Sequence, residues 1–268
     1  MPPVAVFPSG TILAAFGAHE EPDALAGGEG LAFRAGTLVL KRVHDVGEAE
    51  WTQATLAKID QDGFRVPTPI PATTGHWVHD RWSASEFVPG LRPAAPRWDD
   101  IVAWGLRFGD AAERVRPTDS DALDARTHRW AIADRVAWSE AEVQLSPEAT
   151  EIRRLLAELV IPDRETERHF VHGDLSGNVF LDGVDRPVIL DVSPYLRHRR
   201  WAAAVVFADA VLWHGADASF ARGFAAGSDD RDLLGRALIF RLVAEQLATD
   251  PRHAATLEPY RRILAEVG

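Results

Sequence analysis

The stretch "HGDLSGNVFLDGVDRPVILDVSP", residues 172–194, decides how the rest of this chain is read. It holds two short apolar runs, "VFL" at 179–181 and "VIL" at 188–190, separated by the turn-forming "DGVDRP". Apolar runs bounded by Gly, Asp and Pro predict a β-hairpin. Such a hairpin returns Asp191 to the neighbourhood of Asp174 and Asn178, which sit four residues apart on a loop with glycines at 173 and 177. Two carboxylates and a carboxamide oxygen are hard oxygen donors, the set that suits Mg2+. Each of the three alone is an ordinary turn residue; their order together points to chemistry. His172 is expected to pack and hydrogen-bond within its own loop.

Upstream, "TLVLKRV" at 37–43 carries a second signal. The chain has 29 basic side chains, and all are arginine except Lys41 and Lys58. Lysine is a compact point charge where arginine is a wide planar fork, so a lysine kept at the end of an apolar run points to a need for a narrow cation, one that would suit a polyphosphate. "LAFRAG" and "TLVLKRV" predict a hairpin with its turn at Ala35-Gly36. "DVGEAEWTQATLAKIDQDG", 45–63, then predicts a helix stopped at Gly63. Its wheel gathers Trp51, Thr52, Thr55, Leu56 and Ile59 on one side with Glu48 in the middle, and puts Glu50 opposite. An acid in the middle of a buried stripe needs a partner. "WVHDRWSASEFV" predicts two further strands, and "EFVPG" closes the β-rich part.

From about residue 98 the patterns turn helical: "WDDIVAWGLRFGDAAERV", "SDALDARTHRWAIADRVAWSEAEV" and "SPEATEIRRLLAELV", with more helix from about 200 onward. Trp130, Asp134 and Trp138 recur at helical spacing, which suits a buried face and also the wall of an acceptor pocket. The acidic "PTDSDALD" and the basic "YLRHRRW" pull in opposite directions on the charge of any acceptor.

Composition bounds the rest. With 268 residues, 46% hydrophobic content and nine tryptophans, the chain can bury a large core. It has no cysteine, which excludes disulfides and thiolate chemistry. A net charge of −11 argues against nucleic acid as a partner, because duplex affinity depends on neutralising phosphates. No run reaches the roughly 18 to 20 apolar residues that span a bilayer, so a cytosolic protein without a membrane partner is expected.

"VHGDLSGNVF" followed by "VILDVSP" resembles the catalytic and metal-binding loops of the aminoglycoside phosphotransferase-like kinases, relatives of the protein kinases. The resemblance extends over most of the chain. "AGGEG", with Gly27, Gly28 and Gly30, matches a glycine-rich nucleotide loop, and Lys41 ends a strand before a helix that bears an acid. "SEFVPG" resembles the connector between lobes. The resemblance implies an α+β, bilobal, protein-kinase-like fold: a small β-rich nucleotide-binding lobe over residues 1–89 and a larger, mainly helical catalytic and acceptor-binding lobe over 90–268.

It also implies roles. Asp174 would orient the acceptor hydroxyl and take its proton. Asn178 and Asp191 would bind Mg2+, and Lys41 would hold the α- and β-phosphates of ATP, steadied by Glu48, which the wheel favours over Glu50. The backbones of Glu86 and Val88 would meet the adenine. Three departures stand out. The glycine loop is short, Val192-Ser193 follows the metal aspartate, and there is no room for a long activation segment before Trp201. The last favours a small-molecule hydroxyl acceptor such as an aminoglycoside, sugar or amino alcohol. Competing expectations are a nucleotide-binding regulator without turnover, transfer of AMP in place of phosphate, and a metal hydrolase using His172, Asp174 and Asp191. The sequence carries no sign of oligomeric state.

Overall fold

The computed structural model describes residues 6–25, 32–162, 168–249 and 256–268. The chain gathers into two compact units, neither continuous in sequence. Unit 1 takes residues 1–93, 110–126 and 180–191; unit 2 takes 94–109, 127–179 and 192–268.

Unit 1 is built on an antiparallel sheet of β1 (Asp23–Ala24), β2 (Ala32–Ala35), β3 (Leu38–Arg42), β6 (Trp82–Glu86) and β4 (Pro69–Ile70) in that order, with β5 (Val78–His79) also pairing β6. The hairpin read from "LAFRAG" and "TLVLKRV" is β2–β3, with Ala35 opposite Leu38. Its two-residue turn is Gly36-Thr37, one position later than expected, because Gly36 takes the left-handed φ of +61° there. Alternation does the rest: Phe33, Ala35 and Leu40 point into a core with Ile12, Phe16, Trp82 and Ala84. Ile12 comes from α1 (Gly10–Ala15), whose first turn is capped by the Ser9 hydroxyl.

The predicted helix after Lys41 is α2 (Val46–Leu56), capped by Asp45, whose carboxylate accepts the Glu48 N–H at 2.9 Å. Trp51, Thr52, Thr55 and Leu56 are its buried residues, as the wheel placed them. The helix ends at Leu56, before Gly63. Two later segments complete the unit. Asp119 accepts the Trp51 indole N–H through its carbonyl at 2.7 Å. The amide of Arg65 donates to Pro187 and its carbonyl accepts from Ile189, both at 2.8 Å. β7 (Arg92–Pro93), β9 (Val179–Leu181) and β10 (Pro187–Ile189) form a second sheet, so the "VFL"/"VIL" hairpin exists as read.

Unit 2 is mainly helical. Most of α3 (Trp98–Glu113) belongs to it, with α5 (Arg129–Ala137), α6 (Pro147–Ala157), α7 (Trp201–Leu212), α8 (Ala218–Phe224), α9 (Ser228–Gln246) and α10 (Glu258–Val267). α9 is buried from Asp232 to Ala244 with no exposed face, as expected of a central helix. It packs on α5, α6 and α7. The single helix expected over 120–143 is two: α4 (Asp121–Asp124) in unit 1 and α5 in unit 2. The break has a cause in His128, whose Nδ1 accepts the Ala131 N–H and starts a new helix. A two-stranded ribbon of β8 (His169–His172) and β11 (Pro194–Arg197) pairs His172 with Pro194. Among the described residues no helix is long and apolar enough to cross a membrane.

Candidate functional site

β3 fixes Lys41. Leu40 is fully buried, so strand alternation turns Lys41 to the opposite face, across from Ala32 on β2 and Ser83 on β6. Its ammonium meets Asp191 Oδ1 at 2.7 Å, with 42% and 46% of the two side chains exposed. Asp191 follows β10 in a left-handed conformation, φ +44°, which non-glycine residues adopt rarely and often at functional positions. Residues 150 apart in sequence are thus joined within unit 1.

The expected partner of Lys41 on α2 is corrected by the structure. Glu48 bonds Arg126 at 2.8 Å, a guanidinium only 5% exposed in its side chain. Glu50 accepts the N–H groups of Trp77 and Val78 at 3.2 and 2.9 Å. The wheel found the right acid to need a buried partner, but that partner lies 78 residues on, beyond the reach of any local pattern.

Glu86 ends β6. Its amide donates to the Thr68 carbonyl at 2.9 Å, and its carboxylate is bound by Arg65 and Thr68. Burial works to raise that carboxyl, but Arg65 and Thr68 outweigh it and hold it below the usual range. Val88 is 7% exposed and has no hydrogen bond from its backbone among the described residues. Gly27, Gly28 and Gly30 lie outside the described residues.

In unit 2, β8 delivers the loop that carries Asp174. His172 is fully buried, edge-on to the Phe108 ring, and its Nδ1 accepts the Asp174 N–H at 3.1 Å. It therefore organises the loop, and that nitrogen is not offered to a metal. Gly173 has a steric reason: a Cβ there would stand 2.5 Å from the Tyr195 ring. The Asn178 amide nitrogen donates to both the carbonyl and Oδ2 of Asp174 at 2.8 Å. Two acceptors on the nitrogen fix which end of the amide is which, and leave Oδ1 of Asn178 as its acceptor end. Asp174 itself keeps 40% of its side chain exposed.

Sequence reasoning missed the group behind this loop. Arg241 on α9 donates from Nη2 to Asp174 Oδ1 at 2.9 Å and makes a two-pronged pair with Asp209 on α7, at 2.7 and 2.6 Å. The Ser176 hydroxyl completes Asp209 at 2.7 Å. Burial opposes the charge on Arg241, but Asp209 and Asp174 outweigh it and raise its pKa further. A signal existed: Asp209 stands in "AAAVVFADAVL" and Arg241 in "ALIFRLVA", lone charges in apolar runs that imply a buried pair.

The other sequence candidates are structural. Asp134 is buried in a two-pronged pair with Arg197, at 3.0 and 2.7 Å, and Trp138 lies beneath Arg197 and Arg236. The basic "YLRHRRW" meets the protein's own acids, Arg197 with Asp134 and Glu140 and Arg200 with Asp230. "PTDSDALD" opens α4, its Asp119 carboxylate accepting the Asp121 N–H.

Among the described residues no cluster of three or more His, Cys, Asp or Glu side chains is placed to hold a metal. That leaves the hydrolase expectation without a ligand set. Magnesium asks for less: one or two protein oxygens, completed by phosphates and water. The Asn178 side-chain oxygen in unit 2 and the half-exposed Asp191 carboxylate in unit 1 are each an oxygen donor of that kind.

No protein-family model matches the chain, and no curated protein matches it. Solved structures do. Choline kinase LicA from Streptococcus pneumoniae is 11% identical with a TM-score of 0.57, covering 95% of each chain. Amicoumacin kinase hAmiN, in complex with AMP-PNP, Ca2+ and Ami, is 14% identical with a TM-score of 0.59, over 94% of this chain and 90% of that one. A thermostable mutant of aminoglycoside phosphotransferase APH(4)-Ia, in ternary complex with ADP and hygromycin B, is 15% identical with a TM-score of 0.57, over 96% of each. Identities this low speak for architecture: the chain has the α+β, bilobal, protein-kinase-like fold of these small-molecule phosphotransferases.

Proposed function

We propose that this protein is an ATP-dependent phosphotransferase that moves the terminal phosphate of ATP to a hydroxyl of a small molecule. The observation that carries this is the 2.7 Å pairing of Lys41 with Asp191. Each was assigned to phosphate or metal from a different motif, and they are partners. The complexes of similar fold support a nucleotide, with ADP in one and AMP-PNP in another, and a small-molecule acceptor such as hygromycin B. Residues 1–89 would carry the nucleotide functions and 90–268 the catalytic and acceptor functions.

In this reading Lys41 leaves Asp191 and takes the α- and β-phosphates, a narrow cation in place of a fork. The backbone of Val88, and the carbonyl of Glu86, whose amide is engaged with Thr68, would meet the adenine. Asn178 Oδ1 and the Asp191 carboxylate would hold magnesium, which supplies charge neutralisation at the phosphates when bound. The acceptor oxygen bonds to the terminal phosphorus as the bond to the ADP oxygen breaks. Its proton passes to Asp174, whose exposed carboxylate is held between Arg241 and Asn178. Phosphoryl transfer depends on positioning and charge, so this set is chemically sufficient.

The test is thermal stabilisation by ATP with Mg2+ against ATP with a chelator, followed by mass spectrometry of sugars, aminoglycosides and amino alcohols incubated with both. Metal-dependent stabilisation and a phosphorylated acceptor are expected. An acceptor carrying AMP would replace this reading with nucleotidyl transfer. Stabilisation without turnover of any acceptor would make the protein a regulator.

A further inference from the structure

Arg241 has no place among the residues that bind nucleotide or metal, yet it touches the Asp174 carboxylate. Its side chain is 1% exposed, and that of Asp209, its main partner, is fully buried. The guanidinium is held through Nε and Nη2 and flanked by aromatic rings. Nε and Nη2 grip the two oxygens of Asp209, and Nη2 also faces the Gly173 carbonyl at 3.3 Å. The rings of Trp213, Phe240 and Trp130 lie 4.7, 5.0 and 5.3 Å from its central carbon. A planar cation fixed in position and in plane aims the second N–H of Nη2 in one direction, and Asp174 Oδ1 sits there at 2.9 Å.

Asp209 is braced in turn. Ser176, two residues beyond Asp174 on the same loop, donates its hydroxyl to Asp209 Oδ2. The loop thus bonds the pair twice, through Ser176 to Asp209 and through Asp174 to Arg241. Asn178 fixes the other oxygen of Asp174. Both carboxylate oxygens of the proposed proton acceptor therefore have assigned donors, and one donor comes from a helix nearly seventy residues downstream.

We infer that Arg241 is a positioning residue, which with Asp209 and Ser176 sets the orientation of the Asp174 carboxylate toward the acceptor hydroxyl. The inference rests on the phosphotransferase reading for its kinetic consequence, but not for its geometry. Lysine at 241 keeps the charge that Asp209 needs and loses the fork, since one ammonium cannot grip Asp209 with two parallel bonds and still reach Asp174. Arg241→Met removes both charge and fork.

The experiment compares wild type, Arg241→Lys and Arg241→Met. Folding is checked by circular dichroism and ATP·Mg2+ affinity by calorimetry; transfer kinetics are then measured, and crystal structures solved. Arg241→Lys should fold and bind ATP·Mg2+ as wild type does, with kcat reduced on the order of a hundredfold, the scale of a 1 Å misplacement. Methylguanidinium added to Arg241→Met should restore part of kcat in a saturable way, while methylammonium should not. A folded Arg241→Lys with wild-type kcat overturns the inference. So does a crystal structure of either variant with the Asp174 carboxylate unmoved. Should wild type transfer no phosphate to any acceptor, the functional reading fails, and the carboxylate positions in the crystal structures still decide the role of Arg241.

Discussion

Lys41 and Asp191 face each other with nearly half of each side chain in water. A pair so exposed contributes about 0 to 1 kcal/mol to stability, because solvent screens the attraction and both side chains lose freedom. In the proposed phosphotransferase reading, such a pair would part at little cost when triphosphate and metal claim the two charges. Lys41→Arg should accordingly melt within about 4 °C of wild type, the shift that 1 kcal/mol brings in a chain this size. The same variant should lose the stabilisation by ATP·Mg2+, because the wide fork does not fit where a point charge does. Thermal scans with and without nucleotide measure both at once, and full nucleotide stabilisation in the variant would show that lysine is incidental. Lys41, Asp174, Asn178 and Asp191 stand out as candidates in the sequence because each is marked locally, by a strand end, a glycine or a hairpin. The pairings of Arg126 with Glu48 and of Arg241 with Asp174 do not, because the partners lie 78 and 67 residues apart. Nothing near an arginine says which distant carboxylate it will meet.

Elements show a similar division. Helices α3 and α6 and the hairpins β2–β3 and β9–β10 follow from apolar period and turn residues. What the pattern does not contain is how closely elements approach. Within α3, a Cβ at Gly105 would stand 2.2 Å from a Leu175 methyl, and one at Gly109 would stand 2.8 Å from the carbonyl oxygen of Phe170 on β8. These glycines read as plain helix residues, and they let α3 press against the strand and loop that lead to Asp174. Gly109→Ala sets two effects against each other. Helix propensity gains about 1 kcal/mol from alanine. The contact is with backbone, which cannot swing aside, so an overpacking cost of about 1 to 3 kcal/mol should outweigh that gain, for a net loss of up to about 2 kcal/mol. Gly223 in α8 has open space around its Cα, so Gly223→Ala should gain stability from propensity alone. Urea unfolding of the two variants should move the midpoint in opposite directions. A rise for both would mean that the β8 backbone yields at small cost.

At the scale of the whole chain, unit 1 recruits 110–126 and 180–191 from far along the sequence, through contacts such as Glu48–Arg126 and Arg65–Pro187. A boundary read at Pro89-Gly90 sees the change in element type but not these returns, which are tertiary bonds without a local signature. The distribution of charge has a further consequence, for acid stability. Arg153 holds the Glu142 carboxyl below its ordinary value, and the Ser219 hydroxyl, with the Ser219 N–H, does so for Asp217. Burial opposes the same shift at Glu86 and Asp182, but Arg65 at the first, and the Val184 and Arg186 N–H groups at the second, outweigh it. Groups lowered in the folded state contribute stability above their unfolded values, 4.5 for Glu and 3.8 for Asp, and lose it as pH falls through the folded ones. Glu245 runs the other way. Burial raises it in spite of bonds from Tyr260 and Trp213, so its contribution is complete below 4.5 and is lost as pH rises through the folded value. The melting temperature should therefore fall as pH drops below about 4. Glu86→Gln should be less stable than wild type at neutral pH and converge with it in acid, where the Arg65 bond is already lost to protonation. Glu245→Gln should instead gain on wild type as pH rises, because the buried carboxylate no longer has to ionise. Melting curves of the three proteins across this range separate the two cases by slope, and differences of the same sign in both variants would show that burial does not govern Glu245.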